Sequence, residues 1–224
     1  MVRVPRSSKS GEKKRVRAQR IVQLLRKEYP SPTIALSFSN PLQLLIAVIL
    51  SAQCTDKRVN MVTPSLFEKY KSARDFAEAV PAELEHAIHS TGFFRNKAKN
   101  IIGCCTSLVE KHGGNVPASM EELLQLPGVG RKTANCILGG AFGTPAGIVV
   151  DTHVIRLATR LELTKNSQLE KIEEDLCDLI EGKDWIHFGN ALIYHGRNIC
   201  TARNPKCAEC MLKALCPSAE YPKK

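Results

Sequence analysis

Four cysteines crowd one end of the chain, Cys200, Cys207, Cys210 and Cys216, in the pattern C-x6-C-x2-C-x5-C. Four thiols in seventeen residues make a metal or cluster site. A pair of disulfides could occupy the same spacing, but the sequence carries no secretory signal, and a cytosolic compartment keeps thiols reduced. Structural zinc prefers gaps of two to four residues within each ligand pair, which the six-residue first gap fits poorly. Iron–sulfur clusters also take four cysteine thiolates, at varied spacing. Spacing alone leaves zinc and iron–sulfur open.

A second group of reactive residues lies upstream. In Leu126-Pro-Gly-Val-Gly-Arg-Lys-Thr-Ala134, Pro127 ends a helix expected from Ser119, Gly128 and Gly130 permit a tight turn, and a new helix is expected from about Arg131. The result is a helix N-terminus whose peptide N–H groups no side chain blocks, a phosphate site indifferent to base sequence. An ordinary helical hairpin would use the same Pro-Gly turn. Lys132, in the first turn of the new helix, could contact phosphate or act as a nucleophile. Nucleophilic attack needs a neutral amine, and at an unperturbed lysine pKa of ~10.4 only about one molecule in several thousand is neutral at pH 7. A helix N-terminus, neighbouring cations and partial burial each disfavour an ammonium, and a placed carboxylate can accept its proton. Asp151, in Ile148-Val-Val-Asp-Thr-His-Val-Ile-Arg156, is the candidate carboxylate. An apolar run stops at it and a helical pattern follows, so it also reads as an N-cap. Cap and catalyst are compatible, because an aspartate fixed by its own helix stays immobile and able to stabilise developing positive charge. His153 reads as a packed polar residue with a contact to a phosphate backbone, ahead of ligand or base.

The elements that must position these residues are helices. Apolar residues recur at helical spacing, as in Ile21, Leu24, Leu25 and Ile46, Ile49, Leu50, and alternating segments with hairpin turns are nearly absent, so the fold is expected to be all-α. Helix starts are marked at Asn40-Pro41, Asp56, Pro81, Ser119 and Asp151. Breaks near Gly92, Gly113-Gly114, Pro127-Gly128, Gly139-Gly140, Pro145-Gly147 and Gly196 divide the chain into ten or eleven short helices. At 224 residues and 43% hydrophobic composition, one large domain or two small ones can bury a core. The residues from Ser31 to Thr55 carry no charge, and their densest apolar part, Leu44 to Leu50, is a core helix too short to cross a bilayer. Of the net charge of +10, eight cations against Glu12 alone put +7 in the first twenty residues. Residues 1–20 therefore read as a disordered basic arm drawn to nucleic acid through counterion release, or more plainly as a solvated tail. Cys54, Cys104, Cys105, Cys136 and Cys177 sit among apolar neighbours and read as small buried hydrophobes.

The string L-P-G-V-G-x-x-T-A resembles the helix-hairpin-helix element of DNA repair proteins. With Val150-Asp151-Thr152-His153, Leu50-Ser-Ala-Gln-Cys-Thr-Asp56 and the four-cysteine ending, the chain from about Ile21 to Cys216 is similar to the endonuclease III family of DNA glycosylases. The resemblance implies a [4Fe-4S] cluster at Cys200, Cys207, Cys210 and Cys216. It implies two helical lobes with DNA in the cleft between them, residues 34–144 forming a six-helix lobe and 21–33 joining 145–224 in a cluster lobe. Lys132 is then the Schiff-base nucleophile and Asp151 its carboxylate. Gly128, Val129, Gly130, Arg131 and Thr133 meet the DNA backbone, with His153, Arg203 and Lys206 as further contacts. Gln53 plugs the gap left by the extruded nucleotide and Phe93 wedges the opposite strand. The implied activity is a base-excision glycosylase that removes oxidised pyrimidines and, as an abasic-site lyase, nicks the strand by β-elimination. Its implied partner is double-stranded DNA with damaged pyrimidines or abasic sites, with no membrane, a monomeric state and a place in a bacterial cytoplasm with the nucleoid. An adenine mismatch glycosylase usually lacks the lysine and carries a further C-terminal domain, and a noncatalytic helix-hairpin-helix protein would not depend on Lys132.

Overall fold

Every regular element assigned among the described residues, 9–219 of a computed structural model with side chains from Glu12 onward, is a helix. In chain order the α-helices are α1 (Lys9–Glu28), α2 (Pro41–Ser51), α3 (Asp56–Lys69), α4 (Ala73–Ala77), α5 (Pro81–Ile88), α6 (Phe94–His112), α7 (Met120–Leu123), α8 (Arg131–Ala141), α9 (Thr152–Arg160), α10 (Leu169–Leu179) and α11 (Trp185–Asn198). The expected all-α class holds, and the local signals account for most of the starts. Asn40 caps α2 by accepting from the Gln43 amide, with Pro41 in the first turn. Thr55 caps α3, one residue ahead of the expected start, and Ser119 caps α7. Gly113, at φ 58, ends α6 in the left-handed conformation that glycine adopts without penalty. No helix among the described residues is long and apolar enough to cross a membrane.

Two compact units form, one from Ile34–Ala146 and the other from the residues up to Thr33 with those from Gly147 onward. The first holds seven α-helices, α2 to α8, where six were expected; α4 and α7 are only five and four residues long. Its core is centred on α2, which buries Leu44, Leu45, Ile46, Ala47, Ile49 and Leu50. At about 1.5–3 kcal/mol for each large side chain removed from water, this helix supplies much of the driving force for its unit. In the second unit Ala18, Ile21, Val22 and Leu25 of α1 pack with residues of α9, α10 and α11, including Val154, Leu157, Leu176 and Leu192.

Two expectations are corrected here. The basic arm placed at 1–20 is helical from Lys9: Ala18 continues the buried face of α1, and two of its cations are bonded to carbonyls of the same unit. Arg17 donates to the carbonyls of Leu161 (2.5 Å) and Leu215 (3.1 Å), and Arg15 to that of Asp178 (2.6 Å), all near the C-terminal ends of helical elements. Arg3 and Arg6 lie outside the described residues, as does the side chain of Lys9. Gly139-Gly140 and Gly196 are not breaks but lie inside α8 and α11. A Cβ at Gly140 would sit 2.3 Å from Cδ1 of Ile34 and 2.9 Å from Cδ2 of Leu44, so glycine serves close packing there.

Candidate functional site

The segment after α7 builds the hairpin expected from its sequence. Gly128 takes φ +78, and a Cβ there would stand 2.9 Å from Cβ of Asn100, so both backbone and space demand glycine. The Val129 amide donates to the Leu126 carbonyl across the turn (3.1 Å), and the Val129 side chain is buried. Gly130 differs: its φ of −95 and ψ of 176 suit any residue, and a Cβ would meet nothing within 4 Å. Its missing side chain leaves open space at the start of α8, where no side chain caps the helix. Arg131 and Lys132 are exposed in the first turn and Thr133 is half-buried. This is the uncapped N-terminus flanked by cations that an anion site requires. Cys136, one turn beyond Lys132, is an unsuitable nucleophile, since burial pushes its thiol up to about 11 despite the opposing ammonium of Lys132.

Asp151 caps α9 in an extended conformation, and its Oδ1 accepts from the amides of His153 and Val154, both at 2.8 Å. The carboxylate is thus held by its own helix and only half-buried. His153 packs against α11, where a Cβ at Gly196 would come within 3.0 Å of its Nδ1, and Arg156 Nη2 lies 3.2 Å from that nitrogen. Burial, foremost, lowers the His153 pKa, with Arg156 and Arg197 adding to it and Asp151 opposing.

The four cysteines Cys200, Cys207, Cys210 and Cys216 line one pocket. Burial, then the neighbouring cysteines, raise the thiol pKa values of Cys210 and Cys216, while backbone amides of Leu212 and Ser218 lower them. Four thiolates so close need a cationic group among them, which iron supplies. The donor set therefore fits an iron–sulfur cluster.

Several residues that shape this loop escape sequence reasoning. Arg156 donates to the carbonyls of Gly196 (2.8 Å) and Cys200 (3.0 Å); Arg160 donates to those of Thr201 (2.8 Å) and Ala202 (2.9 Å) and, through Nη1, to Cys200 Sγ (3.2 Å). Their i, i+4 spacing on α9 was the available signal. His195 is buried, and burial lowers it to about 4, so its ring is neutral. Tyr29 Oη lies 3.1 Å from its Nδ1 and Cys210 Sγ 3.3 Å from its Nε2, so the ring bridges the two. Arg203 and Lys206 stand exposed in the loop between Cys200 and Cys207.

Gln53 and Phe93 are both exposed and both left-handed, at φ 52 and φ 48. Phe93 is 62% exposed and so stands outside the core.

A helical hairpin ahead of a capped aspartate, followed by a four-thiol loop, defines a class of base-excision repair proteins: residues 46–181 match the HhH-GPD superfamily base excision DNA repair protein model, and 200–216 match the iron–sulfur binding domain of endonuclease III. Endonuclease III of Synechocystis is 56% identical over 92% of this chain and 94% of its own length, and that of Escherichia coli K12 is 40% identical over 89% and 94%. The solved structure of a trapped endonuclease III–DNA covalent intermediate is 41% identical, covers 92% of this chain and 97% of its own, and superposes with a TM-score of 0.87. The chain belongs to the endonuclease III family of base-excision DNA glycosylases, whose cofactor is a [4Fe-4S] cluster.

Proposed function

We propose that this chain is a bifunctional glycosylase and abasic-site lyase acting on oxidised pyrimidines in duplex DNA, with Lys132 as nucleophile and Asp151 as its carboxylate. The observation that carries the reading is Lys132 in the first turn of an uncapped helix, beside a glycine that leaves the backbone open to phosphate. The hairpin residues Gly128 to Arg131, with Thr133, grip phosphates next to the lesion, and His153 supports a further backbone contact. The target nucleotide leaves the stack; Gln53 fills its place and Phe93 presses on the opposite strand.

The neutral Lys132 amine attacks C1′, and the bond from C1′ to the base breaks, the base leaving with the bonding pair and taking a proton from water. Asp151 stabilises positive charge developing on the sugar and takes the lysine's proton, using the carboxylate oxygen that does not cap α9. The sugar ring then opens: the C1′–O4′ bond breaks, O4′ takes up the proton held by Asp151, and C1′ is left as a protonated imine that keeps the amine's last hydrogen. A proton then leaves C2′, the C3′–O bond breaks with the phosphate as leaving group, and water releases the lysine from the imine. Cys200, Cys207, Cys210 and Cys216 hold the cluster, whose contribution is to order the loop that presents Arg203 and Lys206 to phosphates. The reading includes a monomer working in a bacterial cytoplasm.

Incision of a duplex containing one thymine glycol tests the function. Cleavage with a β-elimination end is expected, and an enzyme that leaves both this duplex and an abasic-site duplex intact would remove the assignment.

A further inference from the structure

Lys97, in the first turns of α6, is 4% exposed, and nothing in the reaction above uses it. Its ammonium donates to two backbone carbonyls, those of Leu50 and Thr91, each at 2.8 Å. Leu50 lies in the last turn of α2, and Thr91 closes the 3₁₀ turn His89–Thr91. Carbonyls at such ends lack partners within their own element and carry the negative end of its dipole, so a cation is the fitting cap. Burial lowers the Lys97 pKa, a cost tolerated because both carbonyls are satisfied.

The two capped carbonyls are also the roots of two loops. Three residues after Leu50 comes Gln53 at φ 52, and two after Thr91 comes Phe93 at φ 48. Left-handed backbone at non-glycine residues persists only where its surroundings hold it. Neither loop tip is buried; bonds within each loop hold its own turn, and the Lys97 side chain bonds to both roots at once.

We propose that Lys97 is a positioning residue that locks the Gln53 and Phe93 loops together, so that plug and wedge meet duplex DNA as one preformed unit. The proposal rests on the roles given above to Gln53 and Phe93. Such preorganisation speeds extrusion of a paired nucleotide and has little to offer a nucleotide already unpaired.

The test is single-turnover excision of thymine glycol from a fully paired duplex and from an unpaired bubble, for wild type, Lys97→Met, Gln53→Ala and Phe93→Ala. Cluster absorbance and far-UV circular dichroism establish that each protein is folded. Lys97→Met should lose about tenfold on the duplex, the cost of one unheld strained loop, and stay within about twofold of wild type on the bubble. Amide exchange should rise in residues 51–54 and 91–94 together. If Lys97→Met does not fold, Lys97→Gln, whose uncharged amide ends one bond short of the lysine nitrogen and so fails to join both carbonyls, carries the same comparison with a duplex-selective loss expected. Equal losses on both substrates, or a duplex loss in Gln53→Ala and Phe93→Ala without one at Lys97, would overturn the lock while leaving the loop roles standing. No duplex loss in Gln53→Ala and Phe93→Ala would remove those roles, and the lock with them.

Discussion

Asp151 accepts two amides through one oxygen, which makes its structural and chemical duties separable. Asparagine is as good an N-cap as aspartate but carries no charge. Asp151→Asn should therefore melt close to wild type and lose about a hundredfold in excision, the usual scale for removing one electrostatic group from a transition state. Asp151→Ala should lose the same activity and about 1 kcal/mol of stability besides. A circular dichroism melt beside a glycosylase assay checks both, and an Asp151→Asn enzyme of full activity would leave the residue a cap alone. Asp151 could be read from sequence as cap and candidate together because both signals are local: an apolar run, then a helical pattern. Arg156, Arg160 and His195 were not legible, since their partners at Cys200, Thr201 and Tyr29 stand 44, 41 and 166 residues away. The i, i+4 spacing of Arg156 and Arg160 marks a shared helix face, but not the partners that face meets.

At the scale of the element, the two hairpin glycines look alike in sequence and act differently. Gly128 is required by its φ of +78 and by Asn100, whereas Gly130 is required by neither. Gly128→Ala should cost about 1–3 kcal/mol of stability through strain, and weaken DNA binding with it. Gly130→Ala should leave the melting temperature nearly unchanged and still weaken binding, because its new methyl occupies the approach of a phosphate to the amides of α8. Melting curves and a binding titration at fixed salt separate the two; a fully bound Gly130→Ala variant would show that the open N-terminus is not the anion site. The same lesson holds for Gly140 and Gly196. Glycine is ambiguous in a sequence because it serves both a bend and a close approach, and only the packing partner, Ile34 in one case and His153 in the other, decides which. Helix starts were more legible than stops, since Asn40, Ser119 and Asp151 announce themselves by capping chemistry.

For the whole molecule, the chain leaves one unit after Thr33 and re-enters it at Gly147, so α1 gains its partners only after the intervening unit is made. Apolar spacing predicts the helical class and composition the charge, but charge alone misreads the arm, because Arg15 and Arg17 are spent on carbonyls 163 and 144 residues away. A cation counted from sequence is available to a nucleic acid only if the fold has not already used it. The chemistry ascribed to the molecule depends on one amine, and borohydride reduction of the imine tests it most directly. Wild-type protein trapped on a thymine glycol duplex should form a stable crosslink that maps by peptide mass to Lys132, and Lys132→Ala should form none. A crosslink at any other residue, or one that persists in Lys132→Ala, would contradict the account.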